Sequence, residues 1–247
     1  MHTEFIIPDW QVPARVRALT TTRAGGVSRS PWESFNLADH VGDDPASVLA
    51  NRKRLGESAG LPAEPVWLNQ VHGVAVVDAA VTRRGVSADG SFSRQPGVVC
   101  AVMTADCLPV FLCDDKASSV AVLHAGWRGL AQGIIETGVA AMAVPTTNLM
   151  AWLGPAIGPL SFEVGEEVRQ AFLDHSDEAA RAFQPGSEGK WLADIYALAR
   201  LRLQRLGVNR VSGGNFCTFQ EGGRFFSYRR DNQCGRMASL IWLEENN

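Results

Sequence analysis

Short apolar runs, each bounded by glycine, proline or polar residues, recur along the whole chain. Runs of this kind, rich in valine, leucine and isoleucine, are typical of β-strands in a sheet with a buried face. We therefore predict ten strands. They cover residues 16–21, 66–68, 74–77, 98–104, 110–113, 120–124, 149–153, 210–212, 224–227 and 238–242.

Apolar residues at helical spacing predict four helices between these strands. The first begins at Asp44, whose side chain can cap free N–H groups, and at Pro45, which fits the first helical turn. It runs towards Gly60. Its shared face is predicted to contain Val48, Leu49, Arg52 and Leu55. The other three helices are predicted over residues 130–142, 164–172 and 192–206.

Strands outnumber helices, and the two kinds of element alternate. This order predicts an α/β or mixed α+β fold in which central mixed β-sheets are layered with helices. We find no repeat, low-complexity tract or linker, so residues 1–247 are predicted to form one domain. Residues 82–97 contain several glycines and charged residues, and we predict a loop excursion there.

Composition narrows the possible partners. The net charge of −3 argues against a nucleic-acid coat and gives no reason to expect binding to an anionic membrane. No run of 18 apolar residues exists, and the five cysteines include no Cys-x-x-Cys pair. These features predict a cytoplasmic protein with free thiols. No coiled-coil pattern appears, so a monomer is expected.

Three distant segments each offer one potential metal ligand beside a glycine or proline. They contain His72 before Gly73, Cys107 before Leu108-Pro109, and His124 before Ala125-Gly126. Two imidazoles and one thiolate match a catalytic zinc that keeps its fourth position open. The competing interpretation is a small buried cysteine and two structural histidines. Either Asp106, next to Cys107, or His40 is predicted to move a proton or orient a ligand.

Other residues are candidates for substrate or anion binding. The chain has 20 arginines against 3 lysines. This bias is typical of a GC-rich genome, but some guanidiniums could also clamp phosphate or carboxylate. We expect His2 and His175 to take no part. The candidates are Arg23 in a glycine loop, His40, Gln70, Arg128, and Tyr228 with Arg229 and Arg230, which could form a wall that stacks on a flat ring.

Taken together, these segments resemble one bacterial family over nearly the whole chain. The matching stretches are residues 22–28, 40–45, 70–73, 104–109, 124–129, 153–155, 226–231 and 235–236. The chain is similar to the laccase-domain or polyphenol oxidase family, now regarded as purine nucleoside phosphorylases with adenosine deaminase activity. Some members are called peptidoglycan editing factors.

The resemblance implies a single-domain α/β fold and zinc bound by His72, Cys107 and His124. It also implies phosphorolysis of adenosine, inosine or methylthioadenosine to the free base and ribose 1-phosphate, together with adenosine deamination. One segment departs from the family pattern, which usually has Ala-Asp-Ala where this chain has Ala88-Asp89-Gly90. Glycine permits backbone angles that alanine resists, so the family pattern does not determine the backbone geometry around Asp89.

Three alternatives use the same residues. A zinc amidase could remove a wrongly loaded L-serine from a cytoplasmic UDP-MurNAc precursor, with arginines holding the diphosphate. A copper-dependent polyphenol oxidase is less favoured, because a multicopper oxidase needs many histidines and this chain has five, none in a His-x-His pair. A single His₂Cys site with Met103 as a weak axial ligand could still bind copper. A non-enzymatic binding module is disfavoured, because three protein ligands make a poor structural zinc site.

Overall fold

The computed structural model describes residues 3–245 and confirms the predicted mixed α/β fold. Its strands form sheets of four, six and three strands. The strands are β1 (Phe5–Ile6), β2 (Val16–Thr21), β3 (Val76–Asp78), β4 (Gly90–Ser93), β5 (Cys100–Thr104), β6 (Leu108–Asp114), β7 (Val120–Ala125), β8 (Leu149–Leu153), β9 (Glu163–Val164), β10 (Phe183–Pro185), β11 (Trp191–Ala193), β12 (Arg210–Gly213) and β13 (Met237–Leu243).

Within residues 3–245, six α-helices and two short 3-10 segments accompany the strands. The helices are α1 (Pro45–Ala59), α2 (Trp127–Gln132), α3 (Ile134–Met142), α4 (Glu166–Leu173), α5 (Ile195–Arg205) and α6 (Tyr228–Asp231), and the 3-10 segments are Thr146–Asn148 and Asp177–Ala182. No helix among residues 3–245 combines the length and apolar character needed to cross a membrane.

Two sheets stack on each other. The four-stranded sheet has the order β1-β2-β13-β5, and the six-stranded sheet has the order β12-β8-β6-β7-β4-β3. The six-stranded sheet is mixed, because β12 runs parallel to β8 and β3 parallel to β4 while its other pairs are antiparallel. The third sheet, β10-β11-β9, is small and antiparallel.

Alternation along the strands builds the layers, because successive side chains point to opposite faces. In β7, Val122 packs in the apolar layer between the two sheets, whereas Leu123 packs against the helices. In β5, Val102 belongs to the layer between the sheets, and Ala101 faces the cluster around Leu55 of α1. The order is therefore α1, four-stranded sheet, six-stranded sheet, and helices α2 to α5. Each large aliphatic side chain buried in this way contributes about 1.5–3 kcal/mol.

Helix α1 confirms the predicted caps. The carboxylate of Asp44 accepts hydrogen bonds from the N–H groups of Ala46 and Ser47, and Gly60 ends the helix at a φ of 59°. The predicted buried face was wrong at one position, because Leu49 is 69% exposed. A helix turns about 100° per residue, which carries Leu49 away from Val48 and brings Asn51 into the buried face instead.

Several predicted boundaries need correction. The helix predicted over 130–142 is two helices, because Gly133 at a φ of 104° separates α2 from α3. The ends of two other predicted helices, at 164 and 192, lie in β9 and β11. Residues 66–68 form only an isolated bridge from Val66 to Cys100, and residues 224–227 form a turn that donates back to Glu221. The predicted loop over 82–97 contains β4, which pairs with β7.

Candidate active site

Strand register brings Cys107 and His124 together. Strands β6 and β7 are antiparallel, with Pro109 opposite His124. Cys107 directly precedes β6, so it lies at the same end of the sheet as His124. Alternation from Val122 places the His124 side chain on the face towards the four-stranded sheet. Two candidate ligands that are remote in sequence therefore meet at the end of the layer between the sheets.

A buried carboxylate connects the third candidate ligand to this sheet. Asp89 is fully buried, and its Oδ1 accepts hydrogen bonds from the His72 N–H at 2.9 Å and from His124 Nδ1 at 2.8 Å. Its Oδ2 accepts from the N–H groups of Gly73 at 2.7 Å and Val71 at 3.2 Å. One side chain thus fixes the 71–73 turn, in which His72 has a φ of 60°, and orients the His124 ring.

The three donor atoms converge closely enough for one metal ion. The ligand atoms of His72, Cys107 and His124 all lie within 4.8 Å of one another. A triangle with sides no longer than this has a point within about 2.8 Å of every corner, close to zinc–ligand bonds of about 2.0–2.3 Å. Cys107 Sγ lies 3.9 Å from His72 Nε2, and the two imidazole centroids are 4.7 Å apart. The donor set therefore fits a single divalent ion.

Two glycines make room for this convergence. A Cβ atom on Gly126 would lie 3.0 Å from His72 Cδ2 and 3.1 Å from Cys107 Sγ. A Cβ on Gly129 would lie 2.7 Å from the carbonyl oxygen of Gly73. Larger residues at either position would push the His72 turn away from β7 and α2. The glycines of the His124–Gly129 segment are thus explained by close packing around the ligands.

The charges at the site are strongly coupled. Burial would raise the pKa of the Cys107 thiol, but the nearby His124 and His72 rings outweigh it and lower that pKa to about 6. Burial would lower the pKa of His124, but Cys107 and Asp89 outweigh it and raise that pKa to about 9. Hydrogen bonds from His124 and Gly73 likewise hold the pKa of the Asp89 carboxyl below its usual value despite burial. In the absence of metal, these opposite shifts favour a thiolate–imidazolium pair over a thiol beside a neutral imidazole.

The donor atoms face a cleft of about 450 Å³. This volume lies in the range of small-molecule sites. Three predicted substrate residues, His40, Gln70 and Tyr228, line it. The full lining is His40, Gln70, His72, Met103, Thr104, Ala105, Cys107, His124, Tyr228 and Arg236. The Gln70 amide is already paired with the backbone of Met103, donating at 2.8 Å and accepting at 2.7 Å, so it shapes the wall of the cleft.

Comparison with known proteins supports the resemblance in sequence. The family described as multi-copper polyphenol oxidoreductase laccase matches residues 17–244. The chain belongs to this family. A purine nucleoside phosphorylase of Pseudomonas aeruginosa is 54% identical over 98% of the chain and 99% of that protein. The purine nucleoside phosphorylase YfiH of Escherichia coli is 51% identical over the same shares of the two chains.

Solved structures of similar proteins share the fold. A crystal structure of a Neisseria meningitidis protein has a TM-score of 0.94 and 52% identity, covering 98% of this chain and 99% of that one. The structure of YlmD from Geobacillus stearothermophilus has a TM-score of 0.87 and 32% identity, covering 94% and 93% of the two chains. The laccase-family fold is thus shared nearly end to end.

The family's copper name does not match the donor count of this chain. Within residues 3–245, His72, Cys107 and His124 form the one group of three or more His, Cys, Asp or Glu side chains placed to hold a metal. His175 is exposed and outside the cleft lining, and His2 lies outside the described residues. A blue copper site plus a three-copper cluster would need many more ligands. The donor set of this family member therefore supports one metal ion.

Asp106 directly precedes Cys107, but its carboxylate makes its hydrogen bonds away from the three candidate ligands. Its Oδ1 accepts a hydrogen bond from the Thr218 hydroxyl at 2.6 Å, and its Oδ2 accepts from the Arg229 N–H at 2.7 Å. It is absent from the cleft lining. Asp106 thus ties the turn before Cys107 to the loop of Thr218 and to α6. Of its two predicted roles, proton transfer and orientation of a ligand, these contacts favour the second.

The four predicted anion-binding arginines also lie outside the cleft lining. Arg23 donates to the carbonyl oxygens of Glu33 and Gly222, and Arg230 donates to those of Thr218, Phe219 and Phe225. Arg229 donates to the Glu163 carbonyl, and Arg128 stacks on Trp127. Arg23 and Arg230 thus hold loops of this family member together, and none of the four arginines lies in the lining where the predicted substrate contact would be made.

Sequence reasoning missed two residues of the site. Asp89 falls in the predicted 82–97 loop, and the only signal around it is that Gly90 departs from the family pattern. The structure shows that Gly90 begins β4, where an added Cβ would lie 2.7 Å from Leu123 Cδ2, and that Asp89 is well placed next to it. Arg236 lines the cleft, and its signal was its position beside Gly235 in a segment that matches the family.

Proposed function

We propose that this protein is a zinc-dependent purine nucleoside phosphorylase that also deaminates adenosine. The observation that carries the proposal is the cleft, which unites one His/Cys/His donor set with an exposed tyrosine and a guanidinium. Relatives named purine nucleoside phosphorylase, about half identical over nearly the whole chain, support the same assignment. The five free cysteines support a cytoplasmic enzyme, and we propose that it is a monomer.

Phosphorolysis exchanges one bond at the ribose. An oxygen of inorganic phosphate forms a bond to C1′ of the nucleoside while the C1′–N9 bond breaks. The electron pair of the broken bond leaves with the purine, which takes up one proton. The products are ribose 1-phosphate and the free base. The protein contributes by holding phosphate and nucleoside in line within one cleft, which replaces an unfavourable encounter in solution.

Deamination uses the same cleft without phosphate. A water oxygen adds to C6 of adenosine, and the C6 amino group leaves as ammonia with a proton from that water, which gives inosine. When bound, zinc would supply Lewis acidity and lower the pKa of a coordinated water from about 15.7 to about 7. Neither reaction transfers electrons, so a redox-inactive ion such as zinc suits this site better than copper.

The surrounding side chains have separate proposed roles. Asp89 accepts a hydrogen bond from the backbone N–H of His72, which fixes the turn that carries this residue, and one from His124 Nδ1, which leaves the other ring nitrogen of His124 free for the metal. The Tyr228 ring is 56% exposed and lines the cleft, so it can stack on the flat purine. His40 is held beside Asp39, with its Nδ1 3.7 Å from that carboxylate. Its other nitrogen is available to a ligand.

The test is a product analysis with metal-defined protein. Purified protein of known zinc content is incubated with inosine and phosphate, with adenosine alone, and with a muramyl-serine nucleotide. We expect ribose 1-phosphate and hypoxanthine in the first case and inosine in the second, and both activities should disappear in Cys107→Ala. Serine release from the third compound without ribose 1-phosphate from the first would contradict the proposal and favour an amidase. An intense blue colour with stoichiometric copper would favour an electron-transfer site.

A further inference from the structure

Arg236 stands apart from the other arginines and the lysines of the described chain because it lines the cleft. Its guanidinium is anchored through one nitrogen. Nη1 donates to the carbonyl oxygens of Cys234 at 2.8 Å and Gly235 at 3.0 Å, and lies 3.5 Å from the Cys234 sulfur. Among residues 3–245, neither Nε nor Nη2 has a hydrogen-bond partner, and no carboxylate pairs with this arginine. One edge of the guanidinium therefore remains available.

The neighbourhood of Arg236 carries excess positive charge. The Asp39 carboxylate is shared by Arg52 at 3.4 Å, Arg84 at 3.4 Å and His40 at 3.7 Å. Burial, Arg236 and Arg52 together outweigh Asp39 and lower the pKa of His40, so that ring lies in the field of both guanidiniums. Glu64 also acts on Arg52, so the three guanidiniums of this cluster face two carboxylates, and the remaining excess of positive charge beside the cleft favours an anion.

A second polar group in the lining lacks a partner. The Thr104 hydroxyl is buried and has no hydrogen-bond partner within the described chain, although Thr104 lines the cleft. Thr104 ends β5, and alternation from Val102 turns its side chain towards the layer between the sheets, the same layer that His124 faces. A buried hydroxyl without a partner is costly, and a bound oxyanion would satisfy it.

We infer that Arg236, with His40 and Thr104, forms the anion subsite that holds inorganic phosphate in the cleft. This inference deepens the proposed function and rests on it for the role of the bound phosphate. The free Nε–Nη2 edge matches two phosphate oxygens in a bidentate pair. Stacking against Tyr228, whose ring centroid lies 5.7 Å from the guanidinium carbon, helps to fix the plane of that edge.

The assignment selects Arg236 over the four arginines that the sequence suggested for anion binding. The guanidiniums of Arg23 and Arg230 are occupied by backbone carbonyls outside the cleft. Arg236 alone combines a place in the lining with an unoccupied edge, within residues 3–245. In phosphorolysis it would hold the attacking phosphate and offset its charge. It is a positioning residue for that anion.

The experiment measures phosphate binding and phosphate kinetics separately. Zinc-loaded wild type, Arg236→Met, Arg236→Lys and the control Arg181→Met are titrated with inorganic phosphate by calorimetry, and KM for phosphate and for inosine is determined. Arg181 is exposed and lies outside the cleft. We expect Arg236→Met to raise both Kd and KM for phosphate by about 10- to 100-fold, while KM for inosine changes by less than about threefold. Arg236→Lys should recover part of the loss, and Arg181→Met should match wild type.

The outcomes separate the subsite from the proposed function. A phosphate Kd unchanged in Arg236→Met overturns the subsite, whatever the enzyme does. Phosphate binding that depends on Arg236, without ribose 1-phosphate formation by wild type, keeps the subsite and overturns the proposed function. Should Arg236→Met fold poorly or lose zinc, Thr104→Val and His40→Gln provide the same test. Each should weaken phosphate binding by at least about threefold, and wild-type affinity in both would overturn the subsite.

Discussion

The cleft has two parts that are held by different kinds of structure. His72, Cys107 and His124 are fixed by the β6–β7 register and by the fully buried Asp89. His40 and Tyr228 project from loops and a one-turn helix, and both side chains are more than half exposed. The metal-binding part is therefore determined by several independent contacts, whereas the substrate-binding part is set by few.

The difference separates two functions within one small site. Metal chemistry requires donor positions that do not change, and buried hydrogen bonds from sheet elements supply them. Recognition of a base, a sugar and an anion tolerates adjustment, which exposed side chains allow. Substitutions in the first part should therefore alter metal binding and stability together. Those in the second should alter substrate affinity alone.

The largest effect is expected from Asp89. The Asp89 carboxylate accepts four hydrogen bonds in a buried site, and in Asp89→Ala all four donors lose their acceptor. We expect a loss of about 3 kcal/mol in the free energy of unfolding of zinc-free protein and a 10- to 100-fold loss of zinc affinity. Urea unfolding and competition with a chelator measure the two quantities.

Asp106→Asn is the matched control. Asp106 is next to the candidate ligand Cys107 in sequence, but its carboxylate accepts hydrogen bonds from Thr218 and Arg229 and from none of the candidate ligands. This substitution should lower zinc affinity by less than about threefold, since it keeps one carbonyl acceptor. Equal effects of Asp89→Ala and Asp106→Asn on zinc would abolish the distinction between the two parts of the cleft.

The affinity for zinc should also decrease as the pH is lowered. The metal binds deprotonated His124, and the pKa of about 9 means that this ring must release a proton at neutral pH. The Cys107 pKa of about 6 means that the thiolate is already formed above that pH. The apparent affinity should therefore drop about tenfold per pH unit from pH 9 to 6, and more steeply below 6. Calorimetry in buffers of different ionisation enthalpy counts the released protons, and no release at pH 7.5 would contradict the ion pair.

A smaller effect is expected when Gly126 is replaced by alanine. The added Cβ would approach His72 Cδ2 at 3.0 Å and Cys107 Sγ at 3.1 Å, so the ligands must shift by a few tenths of an ångström. We expect about a tenfold loss of zinc affinity, at the lower end of the range for groups that orient ligands. Gly56→Ala is the control, because nothing lies within 4 Å of its Cβ and alanine should stabilise α1 by about 0.5–1 kcal/mol. Unchanged zinc affinity in Gly126→Ala would show that the ligands tolerate movement.

The smallest effect is expected at Tyr228. Removing its ring should raise KM for inosine by about 3- to 10-fold, because aromatic stacking contributes about 0.5–1.5 kcal/mol. Tyr228→Phe should stay within twofold of wild type, and zinc content should not change in either variant. A loss of zinc in Tyr228→Ala would show that the two parts of the cleft are not independent.

Local signals explain which elements were predictable. The start of α1 at Asp44-Pro45 and its end at Gly60 are each determined by local capping residues. Strands β2 and β8 are short runs with the predicted bounds. Strand β4 was missed because its sequence is Gly-Ser-Phe-Ser, and its buried Ser91 and Ser93 give no apolar run. Its position in the sheet comes from pairing with β7, which sequence spacing does not reveal.

The same limit applies to the site. The three candidate metal ligands can be proposed from the sequence because thiolate and imidazole carry chemistry that few other side chains offer. The role of Asp89 depends on the β4–β7 register, so Asp106, adjacent in sequence, looked equally suitable. Arginine charge is visible in sequence, but its partners are not, which is why Arg23 and Arg230 were candidates and Arg236 was overlooked.

X-ray absorption at the zinc edge of the purified protein tests most directly whether His72, Cys107 and His124 bind one metal ion. We predict one zinc per chain, with one sulfur at about 2.3 Å and nitrogen or oxygen ligands at about 2.0–2.1 Å. The sulfur shell should vanish in Cys107→Ser and persist in Cys217→Ser, since Cys217 lies outside the cleft. A first shell without sulfur in wild type, or one unchanged in Cys107→Ser, would contradict the central claim that these three side chains bind one metal.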